Sequence, residues 1–212
     1  MKLLHYSNII NAAFTYVINT SAKYNIDESH SLKHSMDVYH IANQIYNNQI
    51  EEHPYLEYQK NIIDLSCILH DMCDKKYVDE KTSINNMNSF IMNHDINQHD
   101  IEIISKIIST ISYSTVKKRG FANIPDYQLA YHIVREADLL SAYDPDRCII
   151  YGMMRENLDY IQSTKRAIDL LENRVLKYID DNLFVTEYSK QKAIILHKQC
   201  QEKIANLKTI IS

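Results

Sequence analysis

A histidine–aspartate pair, His70-Asp71, stands at the end of a strongly apolar segment. The residues before it, at 62–69, are mostly isoleucine and leucine. An imidazole and a carboxylate placed there cost free energy unless their charge is paired or bound to a cation. Two further pairs, His94-Asp95 and His99-Asp100, lie in an Asn-rich connection. We interpret these as loop residues, with Asp100 as a helix cap.

Two more polar residues lie on faces that are otherwise apolar. His34 is one helical turn before Val38 on a stripe that runs to Ile45, and Asp138 is one turn after Val134. Helical spacing predicts that both side chains point into the core. A lone histidine or aspartate on such a face is usually satisfied by hydrogen bonds or an ion pair inside the core.

The combination of His34, His70, Asp71 and Asp138 favours a metal site over four separate core contacts. Two imidazoles and two carboxylates form a nitrogen and oxygen donor set that suits a divalent ion and leaves positions open for water. The set therefore predicts a catalytic site for one divalent metal ion. It does not distinguish among Mn, Fe, Co, Ni, Mg and Zn.

The elements that must position these residues are predicted to be helices. Apolar residues recur at helical spacing along most of the chain, and only two glycines and three prolines are present for tight turns. We expect one all-α domain over 1–212, a compact helical bundle whose C-terminal helices, at about 163–212, pack on the core. Pro145 and Thr186 are expected at helix starts. The predicted helices are 3–23, 31–49, 55–72, 82–94, 100–112, 126–142, 146–160, 163–181 and 186–210.

Composition excludes several classes of protein. The net charge of −4 gives no general attraction to nucleic acid. No apolar run approaches the length of about 20 residues needed to cross a bilayer. The first residues do not resemble a secretory signal, and the four cysteines lack the spacing of a thiolate zinc site. These features predict a cytoplasmic protein with reduced thiols and no membrane partner.

The order of His34, His70-Asp71 and Asp138 resembles the H…HD…D signature of the HD-domain metal-dependent phosphohydrolases. The resemblance is closest to a subgroup of small bacterial-type HD hydrolases, and it runs from about residue 29 to the last helix. Three positions depart from the subgroup's pattern, namely Asp37, Glu136 and Ser141. They leave the substrate in question more than the metal. The matching segments are SHSLKHSMDV at 29–38, LHDMCDKKY at 69–77, ISTISYSTVKK at 108–118, READLLSA at 135–142 and FVTEY at 184–188.

The resemblance implies metal-activated attack of water on phosphorus in a small phosphorylated substrate, such as a nucleotide. The metal would be held by the four residues above, so Asp71 would serve the chemistry directly. Asp74 matches a position where a nucleotidase-like subset carries an acidic residue near the attacking water, and we predict it to be a general base or water orienter.

Phosphoryl transfer also needs cations near the transferred group. Basic residues next to the matched segments are candidates for this role. His30, one turn before His34, matches a histidine of the subgroup and is predicted to be a donor behind the metal or a phosphate contact. The predicted substrate-binding residues are His30, Lys75, Lys76, Lys117, Lys118 and Arg119.

Other interpretations remain open on the sequence. An HD fold could bind nucleotide and metal without turnover and act as a sensor. A helical interaction protein could use its long C-terminal amphipathic segment, with Ile194 and Ile195, to form a homodimer. A two-metal enzyme would recruit His94 and His99, which lie between the second and third matched segments, but no apolar inward face surrounds them.

Overall fold

The computed structural model describes the backbone of residues 2–211 and the side chains from residue 8 to 211. Within that range the chain forms ten α-helices and no β-strand, which confirms the predicted all-α class. Short 3₁₀ segments follow or precede several helices, at Pro54–Gln59, His70–Cys73, Pro125–Tyr127 and Val175–Lys177. The helices are α1 (Lys2–Tyr24), α2 (Leu32–Gln49), α3 (Lys60–Leu69), α4 (Glu80–Met92), α5 (Gln98–Ile108), α6 (Tyr113–Arg119), α7 (Gln128–Ser141), α8 (Pro145–Arg155), α9 (Tyr160–Asn173) and α10 (Glu187–Ile210).

Helix α3 is the centre of the bundle. Every residue from Ile62 to Leu69 is buried, and the helix packs against α1, α2, α5 and α7. Because the segment is mostly apolar and is buried on all sides, it is stable only when other helices surround it. Helix α7 packs against both α2 and α3, so the helices that carry His34 and Asp138 contact each other and the helix that leads into His70-Asp71.

The helix boundaries correct several predictions. Helix α6 lies where a loop was expected, because its seven residues bury only Val116 and give a weak apolar pattern. The helix predicted for 163–181 ends at Asn173, since the backbone of Arg174 leaves the helical region and a 3₁₀ turn follows. Asp100 lies in the first turn of α5 and Asn97 is the cap, with its side chain accepting from the Asp100 amide. The predicted starts at Pro145 and Thr186 are confirmed.

Helices α8 and α9 form an antiparallel hairpin with an unusually close approach. A Cβ atom added at Gly152 would lie 2.8 Å from Ser163 Oγ and 3.2 Å from the Ser163 Cα. Glycine is therefore required at 152 for the two helices to approach this closely. Beyond their mutual contact, the hairpin helices pack on α10 and on the 3₁₀ turn at Val175–Lys177.

A buried acidic side chain anchors the start of α10 to α7. Glu136 is fully buried, and its carboxylate accepts hydrogen bonds from the amides of Val185 and Thr186 and from the Thr186 hydroxyl. The same carboxylate pairs with Arg135, which is also fully buried, at 3.1 Å. Glu136 thus satisfies amide groups that a helix start leaves free and neutralises a buried guanidinium. This explains the departure at position 136 as a structural role.

Glu136→Gln should strongly destabilise the fold, because it leaves the Arg135 charge buried without its partner. Breaking a buried ion pair from one side costs about 3–5 kcal/mol. Urea unfolding followed by far-UV circular dichroism measures the loss. The control is Glu187→Gln in the first turn of α10, where the carboxylate is exposed and the expected loss is about 1 kcal/mol or less. Equal effects of the two variants would contradict the anchoring role.

His132 should make the protein less stable in mild acid. Burial, followed by the nearby Arg135 charge, lowers the pKa of His132 from 6.5 to about 4. Between these values the unfolded chain binds a proton that the folded protein refuses, so the free energy of unfolding falls as pH drops from about 6.5 to about 4. His132→Gln should flatten that part of the stability profile, measured by urea titrations between pH 7 and pH 5. An unchanged slope would contradict the assignment.

Candidate metal centre and cleft

Four side chains from three parts of the chain converge at one point beside α3. His34 comes from α2, His70 and Asp71 from the 3₁₀ turn that ends α3, and Asp138 from α7. Nε2 of His34 lies 3.0 Å from Nε2 of His70, 3.2 Å from Asp71 Oδ2 and 3.5 Å from Asp138 Oδ1. Nε2 of His70 lies 3.3 Å and 3.7 Å from the same two oxygens.

The backbone fixes the orientation of His70. Its Nδ1–H donates to the carbonyl oxygen of Cys67 at 2.8 Å, one turn back on α3. This bond leaves Nε2 as the ring atom that faces the cluster, with its lone pair available in the neutral form. A hydrogen bond to the second ring nitrogen is the usual support for a metal-binding histidine.

The charges in the cluster stabilise one another. Burial on its own would lower the pKa of His70, but Asp71 and Asp138 outweigh it and raise that pKa to about 9. Burial would raise the pKa of Asp71, yet the neighbouring His70 holds it well below its usual range. The pKa of Asp138 is likewise lowered, because His34, His70 and Arg147 outweigh burial. Both carboxylates are therefore ionised and demand positive charge.

The donor atoms fit a divalent ion. One ring nitrogen each of His34 and His70 and one carboxylate oxygen of Asp138 all lie within 4.8 Å of one another. Ligands held about 2.1 Å from a common ion are separated by about 3.0–3.5 Å when adjacent, which is close to the spacing found here. Asp71 Oδ2 is buried and receives no hydrogen bond of regular geometry. Such an orphaned carboxylate oxygen is expected where a cation is its natural partner.

Arg147 on α8 only partly neutralises the cluster. Its guanidinium lies 3.6 Å from Asp71 Oδ2 and 3.8 Å from Asp138 Oδ1, both longer than a direct hydrogen bond. The Nε–H donates instead to the carbonyl of Ser29, and Nη1 donates to the hydroxyl of Ser141. Ser141 in turn donates to the Asp138 carbonyl at 2.7 Å. The departure at position 141 thus links Arg147 to the backbone of a predicted ligand.

Two cavities meet at this cluster. The larger has a volume of about 250 Å³ and the smaller about 200 Å³, and Asp71 and Asp138 line both. We call the two together the cleft. The larger cavity combines basic groups with tyrosines and apolar side chains, which suits a ligand with an anionic end and a flat or apolar end. Its basic residues are His30, Lys76, Arg147, Arg166 and Arg174, and its tyrosines are Tyr113, Tyr151 and Tyr178.

Several predicted site residues do line the cleft. Asp74 and Lys76 line both cavities, Lys75 lines the smaller one and His30 the larger one. Asp74 accepts from the Lys76 amide at 2.9 Å and pairs with the Lys76 ammonium at 3.1 Å. Burial, together with the nearby charges of Arg147 and Lys76, lowers the pKa of His30 to about 4, although Asp71 opposes the shift.

The predicted basic group at 117–119 lies elsewhere. These residues form the last turn of α6, are exposed and line neither cavity of the cleft. Lys117 pairs with Asp181 at 2.7 Å. The structure does not bring Lys117, Lys118 or Arg119 to the cluster, because the segment folds as a short helix that turns its basic side chains to solvent.

Three arginines that line the cleft are not predicted from the sequence. Arg147, Arg166 and Arg174 come from α8, α9 and the residue after α9. A signal for two of them was present, because Arg166, Leu170 and Arg174 are spaced four residues apart and share one helix face. No acidic residue of the described chain lies within ion-pair distance of Arg174, whereas Arg166 pairs with Glu156. The Arg174 guanidinium lies 4.3 Å from the centre of the Tyr113 ring.

Comparison with known proteins does not place the chain in a family. No protein-family model matches it, and neither a curated protein nor a solved structure resembles it at a significant level. None of the described helices is long and apolar enough to pass through a bilayer. The assignment of function therefore rests on the cluster and the cleft.

A divalent ion should stabilise the protein through the cluster. With Mn²⁺ at about 100 times its dissociation constant, binding to the folded state alone adds about 2.7 kcal/mol and raises the thermal unfolding midpoint. Asp138→Asn should abolish the rise, because it removes a charged ligand. Asp74→Asn removes the same charge beside the cluster without removing a ligand and should keep the rise. Equal stabilisation of wild type and Asp138→Asn would contradict the proposed ligand set.

Proposed function

We propose that this protein is a metal-dependent phosphohydrolase of the HD-domain type, acting on a small phosphorylated metabolite such as a nucleotide. The observation that carries the proposal is the position of the cluster. Two imidazoles and two ionised carboxylates converge at the meeting point of two cavities whose walls hold several cations. A structural metal site would instead be closed on all sides by its ligands.

His34, His70, Asp71 and Asp138 would hold the divalent ion. The chemistry that such an ion supplies when bound is Lewis-acid activation of water and of a phosphoryl oxygen. The chain's own residues then have to orient the water, bind the phosphate and exclude bulk solvent. Arg147 contributes positive charge beside Asp71 and Asp138 from the α8 side.

Asp74 is the residue best placed to take a proton from the attacking water. It follows the cluster by three residues and faces both cavities. Its bonds to the amide and ammonium of Lys76 fix the position of the carboxylate. An ionised, fixed carboxylate next to the reacting group is what general-base catalysis requires.

Arg174 is proposed as the main phosphate-binding cation. It lines both cavities and has no acidic partner among the described residues, so its charge is available to a ligand. A guanidinium can bind two phosphate oxygens in parallel, which suits charge that develops on the equatorial oxygens. Lys76 supplies a second cation. It lines both cavities and lies next to Asp74.

The non-catalytic alternative loses part of its support. Two of the departures from the family pattern, Asp37 and Ser141, are the only sequence argument for a binding module. Glu136 anchors α10, Ser141 supports the Asp138 backbone and Arg147, and Asp37 forms an exposed pair with Lys33 on the surface of α2. None of these roles conflicts with turnover.

A screen of phosphorylated metabolites tests the proposal. Full-length protein is incubated with nucleoside mono-, di- and triphosphates and with sugar phosphates, each with Mn²⁺, Co²⁺, Ni²⁺ or Mg²⁺, and released phosphate or pyrophosphate is measured. We expect metal-dependent release that disappears in Asp71→Ala while the far-UV circular dichroism spectrum is retained. Metal binding without any turnover would favour the sensor module.

Arg174→Met should lower kcat/KM by about 100-fold, in line with the loss of one preorganised group that stabilises developing charge. The matched control is Lys117→Met, which also removes one cation but acts outside the cleft and should change kcat/KM little. Circular dichroism checks that both variants fold. A larger effect of Lys117→Met than of Arg174→Met would overturn the assignment of the phosphate site and restore the basic group at 117–119.

A further inference from the structure

A buried hydrogen-bond network lies directly behind His30, away from the metal cluster. Asp27 and Ser29 belong to the connection between α1 and α2, and Tyr77 follows the 3₁₀ turn that carries the ligands. Asp27 is 9% exposed and Ser29 is 1% exposed. All three side chains are bonded to one another or to the His30 ring, so the network is a fixed support for that ring.

The direction of each hydrogen bond in the network follows from the carboxylate. The hydroxyl of Ser29 donates to Asp27 Oδ1, and the hydroxyl of Tyr77 donates to Asp27 Oδ2 at 2.8 Å. Burial opposes ionisation of Asp27, but the bonds from Ser29 and Tyr77 outweigh it and lower the pKa of Asp27. An ionised carboxylate only accepts hydrogen bonds, so the hydroxyls of Ser29 and Tyr77 each donate their one proton to Asp27.

Both hydroxyl oxygens then present lone pairs to the same ring nitrogen. Ser29 Oγ and Tyr77 OH each lie within hydrogen-bond distance of His30 Nδ1, the latter at 3.1 Å. Two acceptors facing Nδ1 require that Nδ1 carries the proton. On the other side of the ring, the Lys76 ammonium, which has only protons to offer, lies 3.3 Å from Nε2. This contact requires that Nε2 is unprotonated.

We infer that Asp27 is a positioning residue that holds His30 in its Nδ1–H tautomer, so that Nε2 faces the cleft as a hydrogen-bond acceptor. The role that this gives His30 toward a substrate rests on the proposed function. A fully ionised phosphate oxygen has no proton to give to such a nitrogen. In this structure Nε2 accepts from the Lys76 ammonium, and when Lys76 turns to a phosphate the same nitrogen receives a hydrogen bond from a substrate hydroxyl or from water, whereas phosphate is left to the cations.

The segment that holds Tyr77 and Lys76 is itself fixed to the hairpin. Arg155 of α8 donates to the Lys76 carbonyl at 2.8 Å, and its guanidinium lies 4.9 Å from the centre of the Tyr77 ring. Both ring nitrogens of His30 are thus contacted from one short segment, Nδ1 by the Tyr77 hydroxyl and Nε2 by the Lys76 ammonium.

The tautomer can be measured directly in the full-length protein. Long-range ¹H–¹⁵N correlation spectra distinguish a protonated from an unprotonated ring nitrogen, and loss of one signal set in His30→Gln assigns the ring. At neutral pH, with no paramagnetic metal present, we expect His30 to show protonated Nδ1 and unprotonated Nε2. A wild-type ring with protonated Nε2 would overturn the inference.

Two double variants test whether Asp27 sets the tautomer. In Asp27→Asn/Ser29→Ala, the amide NH₂ donates to Tyr77, whose hydroxyl is then free to donate to His30, so the population should move from Nδ1–H to Nε2–H. In the matched control Asp27→Asn/Tyr77→Phe, Ser29 still donates to the amide oxygen, so the Nδ1–H form should persist. Identical tautomers in both variants would show that Asp27 has no control over the ring.

The spectroscopic result is independent of turnover. A protein that hydrolyses phosphate but shows the Nε2–H form would retain the proposed function and lose the inference about Asp27. A protein with the expected tautomer and no hydrolysis would retain the positioning network and lose the phosphohydrolase assignment.

Discussion

The repulsion between two carboxylates, Asp71 buried and Asp138 partly buried, is the constraint on which the rest of the site depends. The carboxylates of Asp71 and Asp138 lie 3.2–3.7 Å from the Nε2 atoms of His34 and His70. Their pKa values are lowered, so both are ionised. Buried charges of one sign are tolerated only when positive charge is supplied nearby. Arg147, at 3.6–3.8 Å, supplies part of it, and protonation of His70, whose pKa is raised to about 9, supplies more when no metal is bound. A divalent cation at Nε2 of His70 would replace that proton and supply the positive charge in its place, and the spacing of the donor atoms is consistent with one.

The hydrophobic core determines where this charge can lie. Helix α3 is buried from Ile62 to Leu69, and the polar residues that follow its C-terminal end, His70 and Asp71, line the cleft. Helices α2 and α7 pack against α3 and against each other, which brings His34 and Asp138 to that end. Supporting bonds then come from buried polar groups, such as the Cys67 carbonyl for His70 and the Ser141 hydroxyl for the backbone of Asp138. The same core that stabilises the bundle thereby positions the donors.

The sequence predicts the cluster better than the cleft, and the reason is physical. A polar residue on an apolar helix face is conspicuous, so His34, His70, Asp71 and Asp138 stand out from a single chain. Arginines on amphipathic helices are common on solvent faces, so Arg147 and Arg174 carry no such contrast. The basic group at 117–119 is predicted because it adjoins a matched segment, but position in the sequence does not show that a short helix turns these side chains to solvent. The Asp27 network depends on three-dimensional contacts between residues 50 positions apart, which no local pattern reveals.

The close approach of α8 and α9 at Gly152 has an implication for how specificity could change. The ligand-bearing helices α2, α3 and α7 form the interior, whereas three of the arginines that face the cleft belong to the hairpin or its exit. Because the hairpin packs mainly on itself, its lining side chains can be exchanged with little disturbance to the interior. Arg147 is the exception, because it contacts both carboxylates of the cluster, so under the proposed function the other lining residues of α8–α9 are the ones to vary by directed evolution toward new substrates.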